Sequence, residues 1–169
     1  MQMIRPMIYE DAPAVAQIHV KAWQNTYQGI LPDHYLKAMS VQKETETLRL
    51  GMELNSDIIR LVVEEQAQIL GFAAGMENLN PQLIPDYSAE LWALYVDPKF
   101  QRQGVGQKLL RAFGHTQNHE FLVWVLEKNL TARQFYTSAG GVLLNQTKTL
   151  LFGATIHKSL VFSFQKKNE

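Results

Sequence analysis

The segment 96–113, "VDPKFQRQGVGQKLLRAF", places two glycines and an arginine directly before a helical pattern. The N–H groups in the first turn of a helix have no intrahelical partners, and they carry the positive end of the helix dipole. Gly104 and Gly106 lack a Cβ and can adopt positive φ, so their amides can converge on one group of oxygens. Arg102 and Lys108 flank them with positive charge. The pattern predicts a cradle for phosphate or pyrophosphate.

Two common nucleotide motifs do not fit this loop. A Walker A motif needs a glycine, four residues and then Gly-Lys-Ser/Thr, and the chain contains no such run. A dinucleotide fingerprint needs three glycines close behind a strand. Here Leu109 stands where the third glycine would be, and residues 97–103 separate the strand from Gly104. The cradle is therefore predicted to bind a phosphate ligand of another class.

The composition indicates one compact domain, residues 1–169, that is neither disordered nor broadly basic. Hydrophobic residues make up 46% of the chain and charged residues 19%, as in globular proteins. The 16 Lys and Arg balance the 16 Asp and Glu, so no large face for nucleic acid is expected. The absence of cysteine excludes disulfides, thiolate nucleophiles and Cys-based zinc sites. No apolar run approaches the roughly 20 residues that span a bilayer, so a soluble cytoplasmic protein without membrane contacts is expected.

The elements before the loop can be assigned from periodicity and capping residues. "MIRPMI" has the pattern of a strand. Asp11 can cap a helix that runs to about Trp23 or Tyr27, and Asp33 and Ser40 can cap two more helices. "IIRLVVEE" and "ILGFAAGME" are typical of two strands joined by a polar turn at 65–68, which predicts a hairpin.

The elements around and after the loop complete the fold class. "ELWALYV" is nearly continuously apolar, as in a strand covered on both faces. The helix after the glycines has one apolar face, formed by Val105, Leu109, Ala112 and Phe113. "EFLVWVL" predicts a buried strand, "NLTARQFYTSAGG" a short helix closed by glycines, and "VLLNQTKTLLF" with "HKSLVFSF" a terminal hairpin. This order predicts a mixed α/β layer architecture and not a doubly wound fold.

Three segments resemble one family. Gln101-x-x-Gly104-x-Gly106, after "ELWALYVDP" and before a helix, resembles the acetyl-CoA-binding motif of the GCN5-related N-acetyltransferase (GNAT) family. "NLTARQFYTSAGG" resembles a second family segment through Asn129, Ala132, Phe135, Tyr136 and Gly140, and "EDAPAVAQIHVKAWQNTYQGILP" resembles the usual opening. The resemblance implies a single-domain α/β fold with a mixed, mostly antiparallel sheet of about seven strands, helices on both faces and a splayed central strand pair.

The resemblance also implies where acetyl-CoA, the cosubstrate, would bind. The splayed strands would be "ELWALYV" and "EFLVWVL", with pantetheine held in the gap between them by the backbone of Leu94, Tyr95 and Val96. Pyrophosphate would lie on the loop residues Gln101, Arg102, Gln103, Gly104, Val105, Gly106 and Gln107. Asn129 and Phe135 are further cofactor-binding candidates, although Asn129 is equally well placed as a helix cap.

Acetyl transfer needs a group that takes a proton from the amine and a group that returns one to the leaving thiolate. An alkyl amine has a pKa of about 10.4, so a base must supply its neutral form. Glu90 is the candidate base, because it begins the central strand and shares a face with Trp92 and Leu94 by period two. Tyr136 matches the general acid of the family. The alternatives are a solvated charge at Glu90 and a packed helix tyrosine at Tyr136.

The acceptor side is less specified. Trp23 and Tyr27 share a helical face in the region that walls the acceptor site in this family. The carboxylates of Glu77, Asp86 and Glu90 can attract a cationic amine, and the terminal segments look closest to members that acetylate small amines such as polyamines. His115 and His119 have the spacing of a helical metal pair but no third ligand, so no metal is expected.

The leading hypothesis is an acetyl-CoA-dependent N-acetyltransferase that modifies a primary amine of a small molecule or peptide by direct attack on the thioester. Two alternatives remain open at this point. One is a catalytically silent acyl-CoA-binding sensor or regulatory module, and the other is a binding domain in which the glycines only form a turn. The terminal hairpin can pair between subunits, which makes a homodimer a further expectation.

Overall fold

The computed structural model describes residues 1–77, 82–87, 89–117 and 120–165, which form a seven-stranded sheet flanked by helices. The strands are β1 (Met3–Pro6), β2 (Ile59–Glu65), β3 (Gln68–Glu77), β4 (Ala89–Val96), β5 (Phe121–Leu126), β6 (Val142–Phe152) and β7 (Thr155–Phe164). The helices are α1 (Ala12–Tyr27), α2 (Asp33–Lys37), α3 (Val41–Leu54), α4 (Val105–Thr116) and α5 (Leu130–Ser138). The sheet order is β1-β2-β3-β4-β5-β7-β6, and only β4 and β5 pair in parallel. The mixed, mostly antiparallel sheet predicted from the sequence is confirmed.

Helices pack on both faces of the sheet, as predicted. On one face, α1 packs Val15 and Ile18 against β2 and β3. On the opposite face, α4 packs Val105, Leu109 and Phe113 against the centre of the sheet. These three buried residues belong to the apolar face that the sequence predicts, so α4 is anchored with its first turn just beyond the end of β4. Within the described residues, no helix is both long and apolar enough to cross a bilayer.

The predicted hairpin between β2 and β3 is confirmed, and its turn is shorter than the sequence suggested. Glu65 pairs with Gln68, which leaves only Gln66 and Ala67 in the turn. Both residues have positive φ, 51° and 61°. Positive φ at both central positions is the geometry of the type I′ turn, whose twist matches that of the strands it joins. The hairpin brings β3 into contact with β4 on its other side.

The three predicted caps have different outcomes. Ser40 caps α3, since its hydroxyl accepts a hydrogen bond from the Lys43 N–H (3.4 Å). Asp33 is instead the first residue of α2, behind Pro32 at the cap position, so that prediction is wrong. Asp11 occupies the cap position of α1, but its carboxylate binds the Arg5 guanidinium at 2.6 and 2.9 Å and accepts the Ile8 N–H at 2.8 Å. A buried ion pair has taken the place of the expected cap.

Asp11→Asn should lower the free energy of unfolding by about 2 kcal/mol at neutral pH, the usual value of a charge-assisted hydrogen bond. The Arg5 hydrogen bond holds the pKa of Asp11 below its ordinary value, despite the opposing effect of burial. A lowered folded-state pKa stabilises the fold fully above about pH 4, the unfolded value, and this stabilisation is lost as pH falls further. Urea unfolding at pH 7 and pH 3 should therefore show a difference between wild type and variant that shrinks on acidification. Asp57→Asn, at an exposed site, is the control, and a difference independent of pH would contradict the assignment.

Candidate active site

The central strands β4 and β5 separate part-way along their length. Their parallel pairing covers Ala89 with Phe121, Glu90 with Leu122 and Leu91 with Val123, and it stops there. Both strands continue, β4 to Val96 and β5 to Leu126. Beyond Leu91, the main-chain N–H and C=O groups on the edge of β4 that faces β5 are therefore not paired with β5. The splayed pair predicted from the sequence is confirmed, and the gap leaves the backbone of residues 94–96 able to pair with an extended ligand.

A β-bulge at Trp92 marks the place where the gap opens. On β3, Ala74 pairs with Ala93 but Gly75 pairs with Leu91, so Trp92 is an extra residue on β4 and is 39% exposed. A bulge reverses the alternation of side chains beyond it. Two predictions are therefore wrong: β4 is not covered on both faces along its whole length, and Glu90 does not share a face with Leu94.

The packing of the other β4 side chains shows which face of the sheet carries Glu90. Tyr95 pairs with Phe72, and both belong to the cluster beneath α1 together with Ala93. Leu94 instead packs on the α4 face. Glycine is required opposite the bulge, since a Cβ at Gly75 would clash with the Glu90 carbonyl oxygen and the Phe113 ring. Glu90 thus faces the side of the sheet that α1 covers.

The loop between β4 and α4 is tied to the end of β4. The Gln101 side-chain amide donates to the Val96 carbonyl at 3.2 Å, and the Gln103 amide donates to the Lys99 carbonyl at 3.3 Å. Arg102 has a φ of 63°, a left-handed conformation uncommon outside glycine. The three residues before Gly104 therefore hold the chain in a fixed turn and leave the Arg102 side chain exposed.

The first turn of α4 presents free main-chain amides. The first intrahelical bond runs from the Lys108 N–H to the Gly104 carbonyl (3.1 Å), so the N–H groups of residues 105–107 precede it. Gly104 has a φ of 80°, and a Cβ there would meet no atom of any described residue within 4 Å. A Cβ at Gly106 would touch only the edge of the Phe135 ring and the Leu94 side chain, at 3.4 and 3.6 Å. This open, amide-lined surface fits a diphosphate.

The family of this chain can be settled by comparison with known proteins. A family model described as the acetyltransferase (GNAT) domain matches residues 56–140. The uncharacterized N-acetyltransferase YuaI of Bacillus subtilis (strain 168) is 32% identical over 133 residues, which cover 76% of this chain and 74% of YuaI. The chain belongs to the GNAT acetyltransferase family. The predicted class of enzyme, an N-acetyltransferase, is confirmed by that membership.

Other relatives agree with this GNAT assignment. The probable N-acetyltransferase Rv2775 of Mycobacterium tuberculosis is 29% identical over 127 residues, 75% of this chain and 71% of that protein. PaiA N-acetyltransferase from Thermoplasma acidophilum, solved in complex with coenzyme A, superposes with a TM-score of 0.73 at 20% identity and covers 96% of this chain and 99% of its own. YncA, a putative acetyltransferase from Salmonella typhimurium solved with acetyl-CoA, gives 0.69 at 17%, with 99% and 95% covered. At these identities the two structures support the fold.

Three phenols converge on the gap of this GNAT sheet. Tyr136, on α5, is 7% exposed, and burial raises the pKa of its phenol, with a further rise from the Tyr27 phenol on α1. Burial likewise raises the pKa of the Tyr95 phenol well above its ordinary value, and Tyr27 and Tyr136 both add to that rise. All three hydroxyls are therefore close enough to influence one another. The sequence interpretation assigned roles to the Tyr27 and Tyr136 side chains and missed the Tyr95 phenol.

Helix α5 is fixed by the side chain at its N-terminus. Asn129 is buried, and its side-chain oxygen accepts the Ala132 N–H at 3.1 Å, which makes it the cap of α5. Its proposed contact with the cofactor stays a prediction. The Phe135 ring stacks edge-on with Tyr136 at 5.1 Å and lies beside Gly106. The capped helix thus places Phe135 next to the glycine loop and Tyr136 next to the gap.

The aromatic wall predicted for the acceptor side forms on the α1 face of the sheet. Trp23 and Tyr27 contact each other, with ring centroids 4.9 Å apart, and Trp23 also contacts Phe152 of β6 at 6.0 Å. The Trp23 indole N–H lies near the Tyr95 hydroxyl and lowers its pKa. This buried N–H has no hydrogen-bond partner among the described residues. The two aromatics connect α1 to the mouth of the gap.

Glu90 is buried, in contrast to the solvated charge that was its alternative interpretation. It is 4% exposed, and its Oε1 lies 3.8 Å from the ammonium nitrogen of Lys148 on β6. Lys148 also sits over the Trp124 ring, 4.3 Å from its centroid. Burial lowers the pKa of Lys148, and the Glu90 carboxylate opposes this effect. Lys148 was missed from the sequence, because an alternating strand pattern does not show which face carries a lone lysine.

The remaining sequence candidates are either exposed or only partly described by the structure. Asp86 is exposed, and the side chain of Glu77 lies outside what the structure describes. His119 also lies outside the described residues, so the proposed helical histidine pair has only His115 in view. Across the described part of the chain, no group of three or more His, Cys, Asp or Glu side chains is arranged to hold a metal ion.

Proposed function

We propose that the protein transfers the acetyl group of acetyl-CoA directly to a primary amine of a small molecule or peptide. The observation that carries this proposal is the path from the free amides of α4 along the edge of β4 beyond Leu91 to Tyr95, whose phenol lies near that of the buried Tyr136. A diphosphate fits the first part of the path, and an extended pantetheine arm fits the second. Residues 1–169 would act as one domain, since β1 and β7 from the two ends of the chain join the same sheet.

The amides of residues 105–107 and the Gln101–Gln107 loop would hold the diphosphate. The backbone of Leu94, Tyr95 and Val96 would pair with the pantetheine arm, because the ladder between β4 and β5 ends at Leu91. An N–H on this edge can also donate to the thioester carbonyl, whose oxygen gains charge as the amine attacks. These contacts would position the thioester carbon near Leu91, where the ladder between β4 and β5 ends.

The proton balance of the reaction assigns two groups. The amine nitrogen bonds to the thioester carbon, the carbon–sulfur bond breaks, and the nitrogen must lose a proton while the sulfur gains one. Glu90, buried at the base of the gap, would take the amine proton, directly or through a water. Tyr136, whose raised pKa keeps it protonated, would donate to the sulfur. The products are an amide and a free thiol.

A thiol-release assay tests the proposal. Acetyl-CoA should be incubated with polyamines, amino acids, aminoglycosides and peptides with free N-termini, with acceptor-free hydrolysis as the control. At least one class should accelerate thiol release well above hydrolysis and yield the N-acetylated product by mass spectrometry. Tight acetyl-CoA binding without turnover of any acceptor would instead indicate the silent acyl-CoA-binding module. A protein that does not bind acetyl-CoA at all would contradict both the acetyltransferase and the silent module. The sequence resemblance makes polyamines the first class to test.

A further inference from the structure

Four side chains form a polar cluster on the α1 face of the sheet: Glu90, Trp124, Lys148 and Ser159. In the sheet, Ser159 of β7 lies between Leu126 of β5 and Lys148 of β6, and is paired with both. Lys148 contacts the Trp124 ring and lies 3.8 Å from Glu90. Leu126 belongs to the same packing cluster as Trp23 and Tyr27. The polar cluster is therefore continuous with the aromatic wall of the acceptor side.

The polar cluster contains hydrogen-bond donors that the described residues leave unused. Ser159 is 1% exposed, and neither its hydroxyl nor the buried Trp124 indole N–H has a hydrogen-bond partner there. The Trp23 indole N–H, on the aromatic wall, is likewise buried without a hydrogen-bond partner among the described residues. An indole nitrogen can only donate, and a buried donor without an acceptor is costly. Such groups need an acceptor oxygen, which a buried water supplies in the free protein and a ligand can supply in its place.

The charges of the cluster point to the same kind of ligand. Lys148 and Glu90 are close enough, at 3.8 Å, for their opposite charges to compensate each other, but this distance is too long for a hydrogen bond. The Lys148 ammonium can therefore still donate hydrogen bonds to another anion. The cluster holds one cation and one carboxylate, which match a zwitterion. A polyamine brings several positive charges and no anionic group to pair with the Lys148 ammonium. The electrostatics thus favour an acceptor that carries both charges.

We infer that the acceptor is an amine that also carries a carboxylate, as an amino acid does. The Lys148 ammonium, the Ser159 hydroxyl and the Trp124 indole N–H bind its carboxylate, while its amine lies on the Glu90 side toward the gap. This assignment rests on the proposed acetyl transfer and narrows its acceptor class. Lys148 and Ser159 then determine specificity for the acceptor and take no part in the chemical step.

The test compares matched acceptors. The amino acids are screened by thiol release, and the best of them is compared with its amide, its decarboxylated amine and spermidine. The amino acid should show a kcat/KM at least about tenfold above the others, the usual consequence of losing a charge-assisted contact. Lys148→Met should abolish that preference mainly through KM. Ser159→Ala, which keeps both charges, should also reduce the preference for the amino acid, to a smaller extent. This variant replaces Lys148→Met in the test if Lys148→Met does not fold.

The control variant is Lys158→Met, since Lys158 is a lysine on β7 that is half exposed and paired with Glu127. This variant should keep the wild-type preference. A wild type that acetylates the decarboxylated amine or spermidine as well as the amino acid would overturn the inference and leave acetyl transfer standing. Tryptophan fluorescence titration gives a readout without turnover. Quenching by the amino acid that Lys148→Met abolishes would uphold the carboxylate-binding role of Lys148 even if no acceptor reacts. If the wild type shows no quenching and no turnover with any acceptor, both the carboxylate site and the proposed acetyl transfer are overturned.

Discussion

Gly104→Glu should weaken acetyl-CoA binding by about 100-fold or more, or about 2.7 kcal/mol, while the protein remains folded. Gly104 stands at the start of α4 with open space where a Cβ would lie, beside the amides of residues 105–107. A glutamate side chain there brings its own carboxylate to the amides and repels the diphosphate. The helix dipole that favours the phosphate would favour the carboxylate in its place. Isothermal titration calorimetry with acetyl-CoA measures the loss.

The control must separate this effect from backbone strain, because Gly104 has a φ of 80° and any other residue is strained there by about 1–3 kcal/mol. Gly29, in the loop between α1 and α2, has a φ of 75° and equally open space around its Cβ position. Gly29→Glu should lose similar stability in thermal unfolding and keep its affinity for acetyl-CoA. Gly104→Ala should lose stability with a much smaller loss of affinity. Equal acetyl-CoA affinity in wild type and Gly104→Glu would contradict the assignment of the diphosphate site to this loop.

The glycine loop could be predicted from the sequence because its signal is local. Two glycines in front of a helical pattern specify exposed amides wherever the helix packs, and the apolar face of Val105, Leu109 and Phe113 specifies how it packs. The hairpins were predictable for the same reason, since each consists of two neighbouring patterns and one turn. The splayed pair followed only from the family resemblance. The residue pattern of β4 and β5 does not indicate that their pairing ends at Leu91.

The acceptor side could not be predicted because it depends on contacts between distant strands. The bulge at Trp92 is set by the pairing with β3 and the close approach at Gly75, and one extra residue moved Glu90 to the other face from Leu94. Lys148 of β6 reaches Glu90 of β4 across β5 and β7, the two strands that lie between them in the sheet order, and no local pattern specifies that order. Asp11 lost its predicted capping role to an ion pair with Arg5 for a similar reason. Periodicity assigns elements, whereas register and order decide which charges meet.

Tyr136→Phe should lower kcat by about 100-fold, within the usual range for loss of a general acid, with little change in acetyl-CoA affinity. The phenol is buried at the gap, where a departing thiolate would be poorly solvated and would depend on a nearby donor. Because burial and Tyr27 raise its pKa, the phenol stays protonated above pH 10, where an ordinary tyrosine ionises. The wild-type rate should therefore show no loss from ionisation of this group up to that pH. Steady-state kinetics and calorimetry measure the two quantities.

Tyr87→Phe is the matched control for the Tyr136 prediction. Tyr87 is buried to a similar degree, and its hydroxyl accepts a hydrogen bond from the Gln165 side chain (2.9 Å). It packs in the cluster that includes Trp124, so Tyr87→Phe can change KM for the acceptor but should leave kcat unchanged. Both variants delete one buried hydroxyl, so a loss of kcat confined to Tyr136→Phe reflects chemistry and not packing. An equal kcat in wild type and Tyr136→Phe would remove the acid role and leave the partly buried Tyr95 phenol as the donor to examine. Because Tyr27 influences both phenols, Tyr27→Phe should perturb each of them and cannot separate the two roles.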